Sequence, residues 1–235
     1  MNEDVGILCI GTGRYSALLP GLLRSVRLYF LPGLSKRFYV FTDAAAPAGA
    51  DVRRVERRHA GWPADTLERY GMFMQIADEL RKHAYIYFFN ANMRAVAPIG
   101  REVLPTVDRP LVAVRHPRRY TLEELATATE QRQHSRAYIP RLPYTYVAGG
   151  FNGGRAADFI AMAATIDRWQ RADAAAGLVP VWHDESYLNA YRVQQPNRFR
   201  LLSPAYLFPE GWQMDYPCRI VCLDKNRFFN TKNFR

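Results

Sequence analysis

The chain has 235 residues, 49% hydrophobic and 23% charged, with no low-complexity block and no internal repeat, which excludes an intrinsically disordered chain and a solenoid. No apolar run approaches the ~20 residues of a membrane-crossing helix, and Met1-Asn2-Glu3-Asp4 lacks the basic and apolar regions of a secretory signal. Lys and Arg number 32 against 22 Asp and Glu, and the resulting charge of +10 calls for an anionic partner: nucleic acid, an anionic membrane surface or a phosphate-bearing substrate.

In chain order, residues 5–10 form an apolar run that ends at Gly11-Thr12-Gly13, so a buried strand meets a turn. Between 15 and 30, Leu18, Leu19, Leu22, Leu23 and Val26 recur at helical spacing, closed by Pro32-Gly33. Residues 38–42 are the next strand, with Asp43 at its exit. Pro63-Ala-Asp65 starts a helix reaching about His83 and carrying Leu67, Met72, Met74, Ile76 and Leu80. Residues 84–89 and 111–115 complete a set of four strands. Strands alternating with helices at this spacing predict an α/β fold: a mostly parallel sheet with helices on both faces. In the second half, 144–151 is extended and Gly-rich, 155–176 helical with Ile166 and Trp169, and 182–191 a loop entering a helix. Residues 203–212 are a loop or short strand, and 224–235 a polar, basic and aromatic tail. No Pro/Gly/Ser linker divides the chain, so one domain over 1–235 is expected. Cys9, Cys218 and Cys222 leave an odd thiol and no metal-ligand pattern, which suits a reducing cytoplasm.

Five segments could carry chemistry. Ile10-Gly11-Thr12-Gly13-Arg14-Tyr15 follows a strand, but Ser16 stands where a dinucleotide fingerprint needs its third glycine, and the later acidic residue is missing. A nucleotide can still rest there, because ligands bind beyond the carboxyl ends of parallel strands. Asn90-Ala91-Asn92 ends an apolar strand with two short polar side chains on one side; aspartates there would hold a metal, whereas amide oxygens are weak ligands for a hard dication. A strand-end turn favoured by Asn accounts for the same residues. Trp182-His-Asp-Glu-Ser-Tyr-Leu-Asn189 is either a helix start capped by Asp184 with Glu185 in the first turn, or a carboxylate cluster beside a sugar. Ser186, His183 and Asp184 are too close in sequence for triad geometry. Residues 146–154 hold four glycines in six positions, Gly149, Gly150, Gly153 and Gly154, which implies a close backbone approach or special torsions. The tail from Lys225 carries four cations (Lys225, Arg227, Lys232 and Arg235), able to fold over a diphosphate or to fray.

Taken together these segments resemble family 6 of the glycosyltransferases, the histo-blood-group A/B and alpha-1,3-galactosyltransferase family. The signature is Trp182-His-Asp-Glu-Ser-x-Leu-Asn189, where only Tyr187 departs from the commonest His. Tyr39-Val-Phe-Thr-Asp43, Ala137-Tyr-Ile-Pro140, Gly149-Gly-Phe-x-Gly-Gly154, Leu202-Ser-Pro-x-Tyr-Leu207 and Lys225-Asn226 stand in the family's order. The family's Asp-x-Asp metal motif is Asn90-Ala91-Asn92 here, as in bacterial members that work without a metal.

The resemblance implies a GT-A fold, with residues 1–110 mainly on the nucleotide side, 111–223 mainly on the acceptor and catalytic side, and 224–235 a closing tail. It implies Ile10, Gly11, Thr12 and Tyr15 around the uracil, and Asn90, Ala91 and Asn92 near ribose and diphosphate. His183 and Asp184 would face the donor sugar, Glu185 its anomeric carbon, and Lys225 the diphosphate. His116, Trp182, Glu185 and Glu210 would meet the acceptor, and Ala148, Gly149 and Gly150 would border the donor's 2-substituent. Small residues at 148 and 150 favour UDP-GalNAc, with UDP-Gal as the alternative. The expected enzyme is a retaining transferase needing no metal and no cofactor. Its acceptor would be a galactoside or fucosylated oligosaccharide, a lipopolysaccharide-type glycan included. A cytoplasmic place with peripheral contact to the inner membrane is expected, and no nucleic-acid partner. From other classes, a catalytically dead sugar-binding module or a nucleic-acid-binding domain would also use the positive charge.

Overall fold

The computed structural model describes residues 3–45 and 47–229. Seven strands form the central sheet in the order β3-β2-β1-β4-β7-β6-β8: β1 (Asp4–Ile10), β2 (Ser35–Thr42), β3 (Val52–Glu56), β4 (Tyr85–Asn90), β6 (Leu111–Arg115), β7 (Val147–Arg155) and β8 (Phe199–Leu202). A small second sheet joins β5 (Met93–Ala95), β10 (Ile220–Cys222) and β9 (Phe208–Pro209). The helices are α1 (Leu19–Tyr29), α2 (Ala64–Leu67), α3 (Arg69–Met74), α4 (Ala77–Leu80), α5 (Leu122–Ala128), α6 (Ala156–Ala175) and α7 (His183–Gln194). The α/β class and mostly parallel sheet expected from the alternation hold. Strands β3, β2, β1 and β4 run parallel, as do β6 and β8, and β7 is antiparallel to β4 and β6.

The apolar strands have two buried faces because successive side chains point opposite ways. Val5, Ile7 and Cys9 of β1, Phe38 and Val40 of β2, and Tyr85, Tyr87 and Phe89 of β4 join a core that includes α1. Leu8, Tyr39, Phe41, Ile86 and Phe88 lie in a second core with α3, α4, α6 and α7. No helix among the described residues is long and apolar enough to cross a membrane.

Two expectations need correction. The single helix from Pro63 to His83 is three short ones: at the second joint Gln75 and Ile76 donate to Met72 and Phe73, so the backbone tightens to i→i−3 bonds. Tyr70, Met72, Phe73, Ile76, Ala77 and Leu80 pack into one core across the tightened joint, so the apolar stripe survives the break. The helix placed over 15–30 starts as a 3-10 turn, Gly13–Leu18, and becomes α-helical only at Leu19, with Pro20 tolerated in its first turn. Strands β3, β5, β8 and β10 and helix α5 were not foreseen. Helix α5 did have a readable start, a capping box between Thr121 and Glu124.

The glycine run of β7 is explained by crowding. A Cβ on Gly153 would lie 2.4 Å from the Tyr87 ring and 2.5 Å from the Ile86 carbonyl, so the strand can nest between β4 and β6 only without a side chain there. Gly153→Ala is expected to destabilise the fold by about 1–3 kcal/mol and to lower the melting temperature by several degrees, measured by thermal unfolding.

Candidate active site

A cleft opens at the carboxyl ends of β1 and β4. Its first part is lined by Ile10, Thr12, Tyr15, His59, Trp62, Asp65, Thr66, Arg69, Phe88, Asn90, Ala91, Asn92 and Lys225. Its second part is lined by Arg69, Asn90, Gly149, Gly150, Trp182, Asp184 and Glu185. Arg69 and Asn90 belong to both, so the two parts are continuous.

Arg69 is the hub. It is buried, Nη1 donates to the Gly149 carbonyl at 2.7 Å, and its guanidinium carbon sits 4.1 Å from the centre of the Phe88 ring. Nη2 lies 3.5 Å from Asn90 Oδ1. Asp184 Oδ2 is 2.8 Å from Nη1 but outside hydrogen-bond geometry, so the pair is held by charge and this oxygen has no hydrogen-bond partner among the described residues.

Asp184 and Glu185 sit in the first turn of α7, whose cap is Trp182 and not Asp184 as expected. Asn189 fixes this helix to β7: its amide accepts from Val147 N–H and donates to the Val147 and Glu185 carbonyls, at 2.9, 2.8 and 2.9 Å. The clamp sets the half-buried Glu185 against the strand. Gly149 N–H donates to Oε2 at 2.5 Å and the Tyr146 hydroxyl to Oε1 at 2.8 Å. A Cβ on Gly149 would come within 3.3 Å of Oε2, so the strand presents a bare N–H to the carboxylate.

Burial pushes the Asp184 carboxyl up to about 6, against the lowering pull of Arg69. Burial also raises Glu185, while the Gly149 N–H and Tyr146 hydroxyl pull it down. His183 has φ +51°, its ring is 4.9 Å from that of Trp62 in an edge contact, and burial lowers its pKa. The Trp182 ring is exposed and faces Arg119 at 5.0 Å.

The far end of the cleft is tied together by Asp65, which accepts from Thr12 Oγ1 at 2.9 Å, contacts His59 Nδ1 at 2.7 Å and receives the Ala60 and Gly61 N–H groups. Gly11 is buried behind Thr12, with N–H on the Phe41 carbonyl. Lys225 reaches this end because β10 pairs with β5 directly after the Asn90–Asn92 turn. Its Nζ lies 5.5 Å from the centre of the Tyr15 ring, which also packs on Phe229 at 5.3 Å.

Other expected residues carry further contacts or lie outside the lining. Asn92 is buried, and its Nδ2 donates to the Leu223 carbonyl at 2.8 Å, so it anchors the segment before Lys225. Ala148 is buried in the first core and only Gly150 of that pair borders the cleft, where a Cβ would already be 3.0 Å from Leu207. His116 lines neither part. Its Nδ1 accepts from Arg118 N–H at 3.0 Å and burial lowers its pKa to about 4. Glu210 also lies outside the lining, holding Asp224 N–H and Arg227. Lys232 and Arg235 fall outside the described residues.

At the Asn-Ala-Asn turn the Asn90 amide oxygen faces the Arg69 guanidinium and the Asn92 amide donates to the Leu223 carbonyl; amide oxygens are weak ligands for a hard dication. Sequence reasoning missed Arg69, His59, Trp62, Asp65 and Tyr146. Arg69 had a signal: it shares the helical face of Met72, Phe73 and Ile76, and a charge on an apolar stripe needs a partner.

A cleft beyond parallel strand ends, with paired carboxylates against a glycine-rich strand, is the kind of site at which α/β enzymes hold their substrates. The sequence model of glycosyltransferase family 6 matches residues 1–227, and the chain belongs to that family, with the GT-A arrangement its sheet displays. The O-antigen biosynthesis glycosyltransferase WbnI of Escherichia coli is 31% identical over 229 residues, 95% of each chain. Histo-blood group ABO system transferase 1 of Rattus norvegicus is 28% identical over 96% of this chain and 68% of its own. Globoside alpha-1,3-N-acetylgalactosaminyltransferase 1 of Homo sapiens is 26% identical over 89% of this chain and 62% of its own.

Asp184 is testable without substrate. Its folded pKa of about 6 exceeds the ordinary 3.8, so its contribution to stability is present below the lower value and is lost as pH rises through the upper one. Carbon-13 carboxyl NMR should place its midpoint near 6, and Arg69→Gln should move it higher. A midpoint at the ordinary value would overturn the burial-dominated description.

Proposed function

We propose that this glycosyltransferase moves GalNAc from UDP-GalNAc to a galactose-terminated, fucosylated oligosaccharide, in a retaining alpha-1,3 transfer that uses no metal ion. The observation that carries the reading is the Glu185 carboxylate, held by the Gly149 N–H and Tyr146 hydroxyl in a cleft whose other end has Thr12, Tyr15, the Asn90–Asn92 turn and Lys225. UDP fits that far end, beyond the carboxyl ends of β1 and β4. Support for the donor and linkage comes from the globoside relative, whose name specifies alpha-1,3 N-acetylgalactosamine transfer. Support for a bacterial surface glycan as acceptor comes from the O-antigen relative.

In the proposed reaction the bond between the anomeric carbon and the UDP oxygen breaks and a bond to the acceptor 3-oxygen forms on the same face. The acceptor proton passes to the departing diphosphate. Positive charge at the sugar ring is stabilised by Glu185, and Asp184 with Arg69 orients the sugar hydroxyls. Negative charge on the diphosphate is stabilised by Lys225, by the Asn90 amide and by the tail cations Lys232 and Arg235. Asn92 acts by anchoring the segment that carries Lys225.

Incubation with UDP-GalNAc or UDP-Gal and 2′-fucosyllactose, with and without EDTA, tests the reading directly. UDP-GalNAc should give the higher kcat/KM, an alpha linkage by NMR, and turnover unchanged by chelator. Activity abolished by EDTA and restored by manganese would remove metal independence, and a clear preference for UDP-Gal would reassign the donor.

The division of labour is tested by two variants. Glu185→Gln should lower kcat by several orders of magnitude with the fold intact, whereas Lys225→Ala should lower kcat more than it weakens UDP binding. Near-normal turnover of Glu185→Gln would take that residue out of the mechanism.

A further inference from the structure

The turn that leaves β6 carries three arginines within five positions, Arg115-His116-Pro117-Arg118-Arg119. Arg119 has φ +78°, a left-handed backbone that a β-carbon disfavours, so its surroundings hold the turn in place. The Arg119 guanidinium lies 5.0 Å from the centre of the Trp182 ring, and that of Arg118 lies 4.5 Å from the centre of the Trp212 ring. Trp182 lines the cleft beside Glu185, so the arginine turn begins where the reacting groups end. Arg119 is within electrostatic reach of Glu185, and Tyr120 is within reach of Arg115 and Tyr216.

Among the described residues no carboxylate forms an ion pair with Arg115, Arg118 or Arg119, whereas three nearby ones are committed to other groups. Glu124 accepts from the Tyr120 and Thr121 N–H groups, Glu210 holds Arg227 and Asp224 N–H, and Glu185 is bonded to Gly149 and Tyr146. The patch is open to a ligand: Arg115, Arg118, Tyr120, Trp182, Trp212 and Tyr216 are exposed, and of the Arg119 guanidinium nitrogens only Nε is enclosed. A neutral glycan would stack on the tryptophans and leave the three like charges without a counter-charge. A carboxylate or phosphate on that glycan supplies one, and its oxygens match the planar fork of a guanidinium. Because Trp182 belongs to both the patch and the cleft, the anion belongs on the molecule whose sugar reaches Glu185.

We propose, resting on the transferase reading above, that this turn selects an acidic acceptor: a galactose-terminated glycan with a carboxylate or phosphate on the sugar next to the galactose. Arg118 and Arg119 hold the anion while Trp182 covers the galactose. Four small probes separate the cases. Lactose and lactitol are neutral, lactobionate puts a carboxylate on the residue next to galactose, and lactose 1-phosphate puts a phosphate there. Their Kd values are measured by calorimetry on the full chain, with UDP present and no donor sugar. Lactobionate should bind about tenfold more tightly than lactitol, or lactose 1-phosphate than lactose, and the ratio should fall as salt is added. A preference shown by the first pair assigns a carboxylate, and one shown by the second a phosphate. Arg118→Gln combined with Arg119→Gln should bring the ratio close to one. Arg171→Gln, on the exposed face of α6, should leave it unchanged. The proposal is overturned if neither acid outbinds its neutral counterpart, or if the preference survives the double variant. Equal binding of acids and neutrals, with phosphatidylglycerol vesicles released by the double variant, would give the patch to a membrane surface instead. No transfer is needed for this readout, so failure of the transferase reading would show in the donor assay and not here.

Discussion

A guanidinium brought into the interior beside two carboxylates governs the arrangement of this protein. Arg69 cannot be buried without compensation, and the fold supplies it from three directions: the Gly149 carbonyl, the Asp184 carboxylate and the face of Phe88. Each partner comes from a different element, β7, α7 and β4 respectively. The charge therefore cross-links the sheet to two helices where the cleft forms. A side chain at 149 would crowd the place where β7 shares its carbonyl with Arg69 and its N–H with Glu185, its Cβ lying 3.3 Å from Glu185 Oε2.

The same requirement separates the two neighbouring carboxylates. Asp184 lies deep, where desolvation outweighs the pull of Arg69, and Glu185 lies at the surface of the cleft with two donors. Adjacent residues on a helix point about 100° apart, so one turn of α7 gives one carboxylate to the structure-bearing arginine and the other to the open cleft. Asn189 holds that angle by gripping the Val147 peptide on both sides.

Much of this was legible in the sequence where a residue's own chemistry demanded it. The buried strands announced themselves by continuous apolar runs, and the glycine run of β7 by residues that make sense only under crowding. The Trp182–Asn189 stretch concentrated polar groups that helix capping alone does not require. What stayed hidden depended on partners far along the chain. Short strands such as β5 and β10 carry too few residues for a period to show, and they exist because they pair with each other. Asn92, expected near ribose and diphosphate beside Asn90, does line the cleft, but its amide also meets the Leu223 carbonyl, 131 positions away, a contact no local pattern reveals. His116 and Glu210 fit the expected chemistry by type, but loop geometry commits one to the Arg118 backbone and the other to the tail.

The short helices α2 and α3 have hollows on both sides, the cleft lined by Asp65, Thr66 and Arg69 and a rear cavity lined by Ala64, Leu67, Gly71 and Met72, so most of their residues border one or the other. A substitution at Leu67 or Gly71 alters the rear wall, yet the same turn carries Asp65 and Arg69. This makes the segment a lever: donor selectivity could be retuned from behind by repacking residues that never meet the nucleotide sugar, leaving the reacting groups themselves untouched.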